Sequence, residues 1–277
     1  MNGQASRLIE LRQLADRNKI NIPSRIISIC SGKGGTGKTF FSANFAYQLS
    51  RKNQRVLLVD LDLNFSNLNI LLNKTSSNSI SQFFEQKNGL RELIYNHSNN
   101  LDLIFGDSGR SNFPRVSNEI IDYLFTSFAK IQDRYDYIIL DSSAGADDLV
   151  IHQLHRSDYI LLVISPEPTA IMDAYVVIKL LKESGTDNSK LVVVNKCADQ
   201  EEANSAFGNL STAVSHFLGE RIHNLGFISF NKEIHRSIIN QELLADYSPA
   251  SQSLAEITAL TDSFNQFIQM VNNSHSQ

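Results

Sequence analysis

The chain has few cysteines and no long apolar run, and each of these shortages excludes a class of protein. Only Cys30 and Cys197 occur among 277 residues, so a secreted domain held together by disulfides is excluded. No segment approaches the roughly 18 consecutive apolar residues that a membrane-spanning helix requires, and the polar N-terminal segment is unlike a signal peptide. We therefore expect a cytoplasmic protein in which both cysteines are buried thiols.

The chain also has no excess of basic over acidic residues. The 25 Lys and Arg residues are outnumbered by 29 Asp and Glu residues, which gives a formal net charge of −4. Proteins that bind nucleic acid without sequence preference use Lys and Arg to neutralise phosphates. The composition thus gives no strong nucleic-acid signal, although a local basic patch remains open. The length and the hydrophobic fraction of 42 % are typical of one large soluble domain with short extensions.

Strand-like and helix-like segments alternate along most of the chain. Apolar, β-branched runs occur at residues 26–30, 56–61, 101–105, 137–140, 159–165, 191–195 and 226–230. Several are apolar throughout, as strands buried on both faces are. The alternation predicts a doubly wound α/β fold, with a mostly parallel sheet and helices on both faces. We assign the main domain to residues 26–250, an N-terminal extension to residues 1–25, and a C-terminal amphipathic helix and tail to residues 251–277.

A glycine-rich turn lies between the first predicted strand and a helix-like segment. Its sequence is that of a Walker A phosphate-binding loop: Gly32, Lys33, Gly34, Gly35, Thr36, Gly37, Lys38 and Thr39, followed by Phe40. In such a loop the backbone N–H groups surround phosphate oxygens, and the positive end of the following helix points at them. We predict that Lys38 contacts the β- and γ-phosphates and that the Thr39 hydroxyl ligates Mg²⁺. A chance match is the alternative, but strand and helix flank the loop in the required order.

The first lysine of the loop, Lys33, indicates which family of P-loop proteins the motif resembles. The string Lys-Gly-Gly-Thr-Gly-Lys-Thr at residues 33–39 resembles the deviant Walker A motif of the MinD/ParA family of P-loop ATPases. The resemblance implies ATP and Mg²⁺ as cofactors, slow and partner-stimulated hydrolysis of ATP, and a homodimer that forms with ATP. It also implies that Lys33 crosses the dimer interface to the partner's nucleotide, in the role of an arginine finger. A solvated loop lysine is the alternative.

Three aspartates end apolar strands and are candidates for binding metal and water. Asp60 and Asp62 follow the second predicted strand, at the sheet edge where ligands gather in open α/β folds. By resemblance to the family, Asp62 orients or activates the attacking water and Asp60 supports the metal; carboxylates that merely end a strand are the alternative. Asp141 forms a Walker B pattern, whose carboxylate holds Mg²⁺ directly or through its water. The predicted metal site is Thr39, Asp60 and Asp141, and the predicted catalytic residues are Lys33, Lys38 and Asp62.

The segment Asn195-Lys196-Cys197-Ala198-Asp199 bears on which base is bound. GTPases recognise guanine with Asn-Lys-x-Asp, but here the aspartate falls one residue too late. In the MinD-like family an asparagine at this strand end faces adenine, so the resemblance implies that Asn195 contacts the base of ATP. A strand-terminating turn is the alternative role for this residue. We predict further nucleotide contacts at Phe40, Glu167 and Phe230.

Two stretches resemble the FlhG branch of the family, whose members regulate flagellar number and placement. One is Pro-Glu-Pro-Thr followed by Asp-Ala-Tyr within residues 166–175, and the other is the N-terminal segment, with Gln4-Ala5 and a later Leu-Arg pair. In that branch the N-terminal extension engages and stimulates the GTPase FlhF. The resemblance therefore implies that Gln4, Ala5, Leu8 and Leu11 bind an FlhF-like GTPase, as a helix docked in a groove. A helix that packs on its own domain is the alternative.

The C-terminal stripe, with Leu254, Ile257, Leu260, Phe264, Phe267, Ile268 and Val271, is comparable with the membrane-targeting helix of MinD. No Lys or Arg follows Arg236, whereas anionic lipid attracts such helices through basic residues. We favour packing on the core, and peripheral contact with the inner face of the cell membrane stays open. Flagellar switch (C-ring) proteins and a flagellar transcription regulator are further partners left open. The alternative functions are a MinD-type division-site regulator, a ParA-type partition ATPase and a non-hydrolysing ATP-sensing scaffold.

Overall fold

The computed structural model describes residues 25–62, 66–107 and 115–274, and these residues form one sheet of eight strands. The strands are β1 (Arg25–Ser31), β2 (Val56–Leu61), β3 (Tyr95–Ser98), β4 (Leu101–Ile104), β5 (Tyr137–Ala144), β6 (Tyr159–Ile164), β7 (Ser189–Cys197) and β8 (His223–Ser229). Their order is β3-β4-β2-β5-β1-β6-β7-β8. Neighbouring strands are parallel except β3 with β4, which confirms the predicted, mostly parallel sheet.

Helices connect the strands and cover both faces of the sheet. The described helices are α1 (Lys38–Arg51), α2 (Leu68–Leu71), α3 (Ile80–Phe84), α4 (Leu90–Leu93), α5 (Asn118–Ala129), α6 (Asp148–His155), α7 (Pro168–Glu183), α8 (Gln200–Ala213), α9 (Lys232–Asn240), α10 (Leu244–Tyr247) and α11 (Gln252–Ser274). A 3₁₀ turn (Gln132–Arg134) and a π-helical turn (Val214–Leu218) complete the described set. Helices α1 and α11 pack on one face and α3 to α8 on the other, so the doubly wound arrangement is confirmed.

The central strands are buried because their side chains are apolar on both faces. In β2, Leu58 packs in the cluster with α1, whereas Leu57 and Val59 pack in the cluster on the opposite face, as the two-residue period of a strand requires. Cys30 and Cys197 are also fully buried, and burial is the main cause that raises the pKa of each thiol to about 12. The expectation of two buried thiols is confirmed.

The C-terminal helix α11 packs along the sheet beside α1. Ile257, Leu260, Phe264 and Ile268 are buried there, and the ring of Phe264 lies 5.4 Å from that of Phe45. The apolar stripe read from the sequence is therefore directed largely at the core. Within the described residues, none of the helices combines the length and the hydropathy that crossing a bilayer requires.

The edge strand β3 was not predicted from the sequence. Its four residues alternate between half-buried and exposed positions, so it contains no continuous apolar run, and its partner β4 holds it in place as an antiparallel neighbour. Strand boundaries differ for a related reason. β5 continues to Ala144 and β7 spans Ser189–Cys197, because pairing with neighbouring strands continues past the apolar residues. Residues 1–24 of the N-terminal extension, with Gln4, Ala5, Leu8 and Leu11, lie outside the described residues, whereas Arg25 is the first residue of β1.

Candidate nucleotide site

The loop between β1 and α1 forms a concave surface at the carboxyl ends of the central strands. Gly35 and Gly37 have φ angles of 82° and 88°, left-handed conformations that glycine adopts without steric cost. Helix α1 begins at Lys38, so its N-terminus points into the loop. A pocket of about 530 Å³ opens here, a size that suits a small-molecule ligand. It is lined by Ser31, Gly34, Gly35, Thr36, Gly37, Lys38, Thr39, Phe40, Asp62, Asn67, Ser143 and Ala144.

Lys38 is a buried cation in this pocket. Its side chain is 6 % exposed and its Nζ lies 2.9 Å from Oδ1 of Asp141, which also accepts a hydrogen bond from Ser42 Oγ at 2.8 Å. Burial by itself would lower the pKa of Lys38, but the charge of Asp141 and its hydrogen bond outweigh burial, and the pKa is raised above its ordinary value. Lys38 therefore keeps its positive charge where a phosphate would bind.

Asp60 lies beside Asp141 because the pairing of β2 with β5 places the two residues opposite each other. Asp60 is fully buried and accepts hydrogen bonds from Ser66 Oγ at 2.6 Å and from the backbone N–H groups of Asp62 and Leu68 at 3.0 and 3.2 Å. Burial, and then the negative charge of Asp141, raises the pKa of Asp60 to about 7. Two buried carboxylates this close favour a bound cation.

The oxygen atoms at this end of the sheet fit a magnesium ion. Within the described part of the chain, Oδ2 of Asp141 is buried and has no hydrogen-bond partner, a costly arrangement that a metal ion or its bound water relieves. Thr39 lies in the first turn of α1 and lines the pocket. Carboxylate and hydroxyl oxygens are the ligands that Mg²⁺ prefers. The fold thus brings Thr39, Asp60 and Asp141 to one end of the sheet, with a donor set suited to Mg²⁺.

Asp62 lines the pocket immediately after β2. Ser143 Oγ lies 3.4 Å from Oδ1 of Asp62 and 3.3 Å from the carbonyl of Leu61, so the extended end of β5 contacts the loop that carries this carboxylate. The loop is also anchored by the hydrogen bond from the Asp62 N–H to Asp60. Asp62 is therefore held near the phosphate-binding loop by two neighbouring strands.

Lys33 lies on the outer rim of the phosphate-binding loop. Its Nζ donates a hydrogen bond to Thr169 Oγ1 at 3.1 Å, so the loop contacts the first turn of α7. Gly32 packs still closer to this helix, since a Cβ added there would lie 2.4 Å from the carbonyl carbon of Asp173. The structure thus brings Lys33 beside the Pro-Glu-Pro-Thr segment that the sequence analysis singled out.

Glu167 and Phe230 lie outside the pocket lining. A hydrogen bond with Ser165 lowers the pKa of Glu167, burial opposes this, and the positive charges of Lys33 and Lys196 lower the pKa further. Phe230 is 71 % exposed, and its backbone N–H donates to the carbonyl of Cys197 at 2.7 Å. Nucleotide contacts at Glu167 and Phe230 remain predictions. Phe40 does line the pocket, although its side chain packs mostly in the core.

The end of β7 supplies Asn195, and the following turn supplies Asp199. Asn195 is buried, and its Nδ2 donates to the carbonyl of Thr36 at 2.7 Å, so it contacts the phosphate-binding loop from behind. Asp199 is the N-cap of α8 and accepts a hydrogen bond from the Glu202 N–H at 2.9 Å. Asp199 thus serves as a helix cap, which agrees with the interpretation of this segment as distinct from Asn-Lys-x-Asp. Contact of Asn195 with adenine remains a prediction.

Several polar residues of the site were not assigned from the sequence. They include Ser42, Ser66, Asn67 and Ser143, which contact Asp141 or Asp60 or line the pocket. Ser42 carried a usable signal, because it lies four residues after Lys38 on the same face of a helix. The others reach the site through the loop after β2 and the extended end of β5, which no local pattern indicates.

A glycine-rich loop leading into a helix, with a buried lysine and strand-end carboxylates around one pocket, defines a P-loop nucleotide-binding protein. Comparison with known proteins agrees. Residues 24–193 match the family described as an AAA domain. The flagellum site-determining protein YlxH of Helicobacter pylori is 31 % identical over 270 residues, which cover 94 % of this chain and 90 % of YlxH. The antiactivator FleN of Pseudomonas aeruginosa is 28 % identical over 231 residues, covering 83 % of this chain and 82 % of FleN.

Solved structures show the same fold. The cell division ATPase MinD of Pyrococcus furiosus superposes with a TM-score of 0.72 at 23 % identity, over 88 % of this chain and 99 % of MinD. MinD of Pyrococcus horikoshii, complexed with Mg-ADP, gives a TM-score of 0.71 over 89 % of this chain and 98 % of that protein. The chain belongs to the MinD/ParA family of P-loop ATPases. Its similarity to YlxH and FleN also confirms the resemblance to the FlhG branch.

Proposed function

We propose that this chain is an ATP-hydrolysing switch that binds ATP with Mg²⁺, dimerises around the nucleotide and regulates flagellar number and placement. The observation that carries the proposal is the convergence of Lys38, Asp60, Asp62 and Asp141 on one end of the sheet, around the glycine-rich loop. A scaffold that only sensed ATP would not require a carboxylate such as Asp62 beside the phosphate-binding loop.

Each of these residues has a distinct task in the proposed reaction. The N–H groups of residues 34–37 and the ammonium of Lys38 bind the phosphates, and Lys38 exchanges its contact with Asp141 for one with phosphate oxygens. Bound Mg²⁺ supplies positive charge that neutralises the phosphates, and Thr39, Asp60 and Asp141 would hold it. Asp62 orients the attacking water for in-line displacement.

Lys33 completes the site across the dimer in this proposal. In the single chain its ammonium rests on Thr169, at the rim rather than inside the pocket. In a two-fold symmetric dimer that forms at this rim, the Lys33 of each copy contacts the nucleotide bound to the other copy. There its positive charge stabilises the transferring phosphoryl group. Hydrolysis of ATP then depends on dimerisation, and the rate of hydrolysis sets how long the dimer lasts.

The flagellar role rests on YlxH and FleN, two relatives that align over most of the chain. The test is to delete the gene in its flagellated host and to count the flagella of each cell by electron microscopy. We expect an altered number or position of flagella, restored by the wild-type gene and not by Lys38→Ala. Normal flagellation after deletion would rule out this role. Impaired division with normal flagella would instead favour a MinD-type regulator.

The N-terminal extension, residues 1–25, is proposed to stimulate an FlhF-like GTPase. The support is its sequence alone: Ala5, Leu8 and Leu11 share one helical face, and the segment carries five basic and two acidic residues on a net-negative chain. A peptide of residues 1–25 should raise the GTPase rate of the partner, and Gln4→Ala in the full chain should remove the stimulation without changing ATP-dependent dimerisation. An unchanged GTPase rate across a complete titration would refute this part.

A further inference from the structure

The backbone at the end of β7 turns sharply at a residue whose side chain makes this turn unfavourable. Lys196 has a φ of 64°, in the left-handed region that residues with a Cβ rarely adopt. Such conformations persist only where surrounding contacts hold them, and they cluster at functional sites. The contacts of Lys196 therefore indicate what the turn is for.

Lys196 and the preceding Asn195 hold two consecutive carbonyl groups of the phosphate-binding loop. The Nζ of Lys196 donates to the carbonyl of Gly35 at 2.7 Å, and Nδ2 of Asn195 donates to the carbonyl of Thr36 at 2.7 Å. Oδ1 of Asn195 accepts from the backbone N–H of Lys196 at 2.9 Å, so the two residues form one connected unit. This unit packs tightly, because a Cβ added at Gly37 would lie 2.3 Å from Nδ2 of Asn195.

When the carbonyl groups of the loop are hydrogen-bonded on its outer side, the N–H groups of the loop can point into its concave side. N–H groups on that side are the groups that bind phosphate. A loop organised in advance binds more tightly, because less conformational entropy is lost when the ligand arrives. The left-handed turn aims Lys196 back at the loop.

We propose that Lys196 is a positioning residue for nucleotide binding, which holds the phosphate-binding loop in its binding conformation through the Gly35 carbonyl. The proposal rests on the nucleotide site proposed above. It assigns Lys196 no contact with the substrate, so its loss should weaken the binding of ATP and ADP alike. Ground-state and transition-state binding then fall together, and KM should rise while kcat stays nearly constant.

The test compares Lys196→Met with Lys196→Arg. Methionine keeps an unbranched stem of four heavy atoms, as in lysine, but removes the ammonium, whereas arginine retains a donor. Lys179→Met, in the C-terminal half of α7, is the matched control, since Lys179 is an exposed lysine paired with Glu183 and away from the pocket lining. Dissociation constants for Mg·ADP are measured by calorimetry, KM and kcat for ATP by phosphate release, and unfolding temperature by calorimetric scanning.

We expect Lys196→Met to bind Mg·ADP about ten-fold more weakly, with KM raised by a similar factor and kcat within about two-fold. Lys196→Arg should recover most of the affinity, and Lys179→Met should match the wild type. Amide hydrogen exchange at residues 34–37 should be faster in Lys196→Met without nucleotide. Unchanged nucleotide affinity and unchanged hydrogen exchange in Lys196→Met would overturn the inference. A lower unfolding temperature with unchanged nucleotide affinity would also overturn it, because Lys196 would then only stabilise the fold. Either outcome is compatible with normal ATP hydrolysis, so it would leave the proposed function standing.

Discussion

At the scale of single residues, the site concentrates ionisable groups that few soluble proteins bury. Lys38, Asp60 and Asp141 are each less than a tenth exposed, and removal of one partner from such a group leaves a charge without compensation. Lys38 and Asp141 stabilise one another in the chain itself, while phosphate and Mg²⁺ are the partners that the proposed function adds. Substitutions here therefore affect both folding and ligand binding, and a test must measure the two separately.

Replacement of each of the two loop lysines by alanine should impair a different property, nucleotide binding for Lys38 and dimerisation for Lys33. Lys38→Ala removes a charge-assisted contact worth on the order of 1.5–3 kcal/mol to bound nucleotide, and it also lowers stability because Asp141 loses its cation. Lys33→Ala should leave nucleotide binding and stability of the single chain unchanged and abolish dimerisation. Calorimetric titration with ADP and gel filtration with ATP distinguish the variants. Normal dimerisation of Lys33→Ala, or wild-type affinity of Lys38→Ala, would contradict these roles.

Gly32 is required by its contact with α7 rather than by its backbone angles. A methyl group at Gly32 would collide with the backbone of Asp173 and Ala174, whereas one at Gly34 meets nothing within 4 Å. We expect Gly32→Ala to lower the free energy of unfolding by about 1–3 kcal/mol and Gly34→Ala to change it by less than about 0.5 kcal/mol. Urea denaturation of both variants without nucleotide measures the difference. Equal stability of the two would mean that the loop and α7 separate easily.

At the scale of elements, helix α11 contributes its apolar face to the hydrophobic core. An amphipathic helix lacking Lys and Arg has little electrostatic attraction to anionic lipid, and its apolar face is occupied by the sheet. Phe264 is fully buried and its ring lies 5.8 Å from that of Tyr137 and 6.1 Å from that of Tyr159. The aromatic contacts of Phe264 thereby join α1 to two strands of the sheet, β5 and β6.

Removal of the Phe264 ring should destabilise the protein strongly. Phe264→Ala creates a cavity between α1, α11 and the sheet, and we expect a loss of about 3–5 kcal/mol in the free energy of unfolding. Met270, on the same helix and 63 % exposed, gives the control Met270→Ala, with an expected change of less than about 0.5 kcal/mol. Chemical denaturation followed by circular dichroism measures both. Near-equal stabilities would indicate that α11 leaves the core readily, as a membrane-seeking helix would.

At the scale of the whole molecule, the strand order decides where chemistry is possible. Strand β1 lies between β5 and β6, and β5 lies between β1 and β2, so the loop after β1 meets the acids near the carboxyl ends of β2 and β5. The carboxyl ends of parallel strands lie at one edge of the sheet, where open α/β folds bind ligands. The nucleotide pocket lies at this edge.

Asp62→Ala should separate nucleotide binding from hydrolysis. Loss of the carboxylate that orients water slows cleavage of ATP without removing a phosphate contact, so the proposed ATP-bound dimer should accumulate. Gel filtration with light scattering, in Mg·ATP and in Mg·ADP, is the measurement, with the wild type for comparison. We expect dimer for Asp62→Ala in Mg·ATP and monomer in Mg·ADP. A monomer under both conditions would refute the dimerisation scheme.

The sequence by itself determined the local parts of this protein. Continuous apolar runs gave the parallel strands, because a strand buried on both faces must be apolar at every position. The loop at residues 32–39 was readable because phosphate binding is done by backbone groups whose geometry depends on glycines at set spacings. Lys38, Asp60 and Asp141 were candidates for the same reason: each stands at a strand or helix terminus that the pattern marks.

Only the tertiary structure decided which distant residues meet. The pairing of Asp60 with Asp141, the support of both by Ser66 and Ser42, and the clamp of Asn195 and Lys196 on the loop join segments far apart in the chain. Such contacts follow from strand order and helix packing, which no local periodicity encodes. The edge strand β3 was missed for the same physical reason, since hydrogen bonding to β4 rather than an apolar pattern of its own makes it a strand.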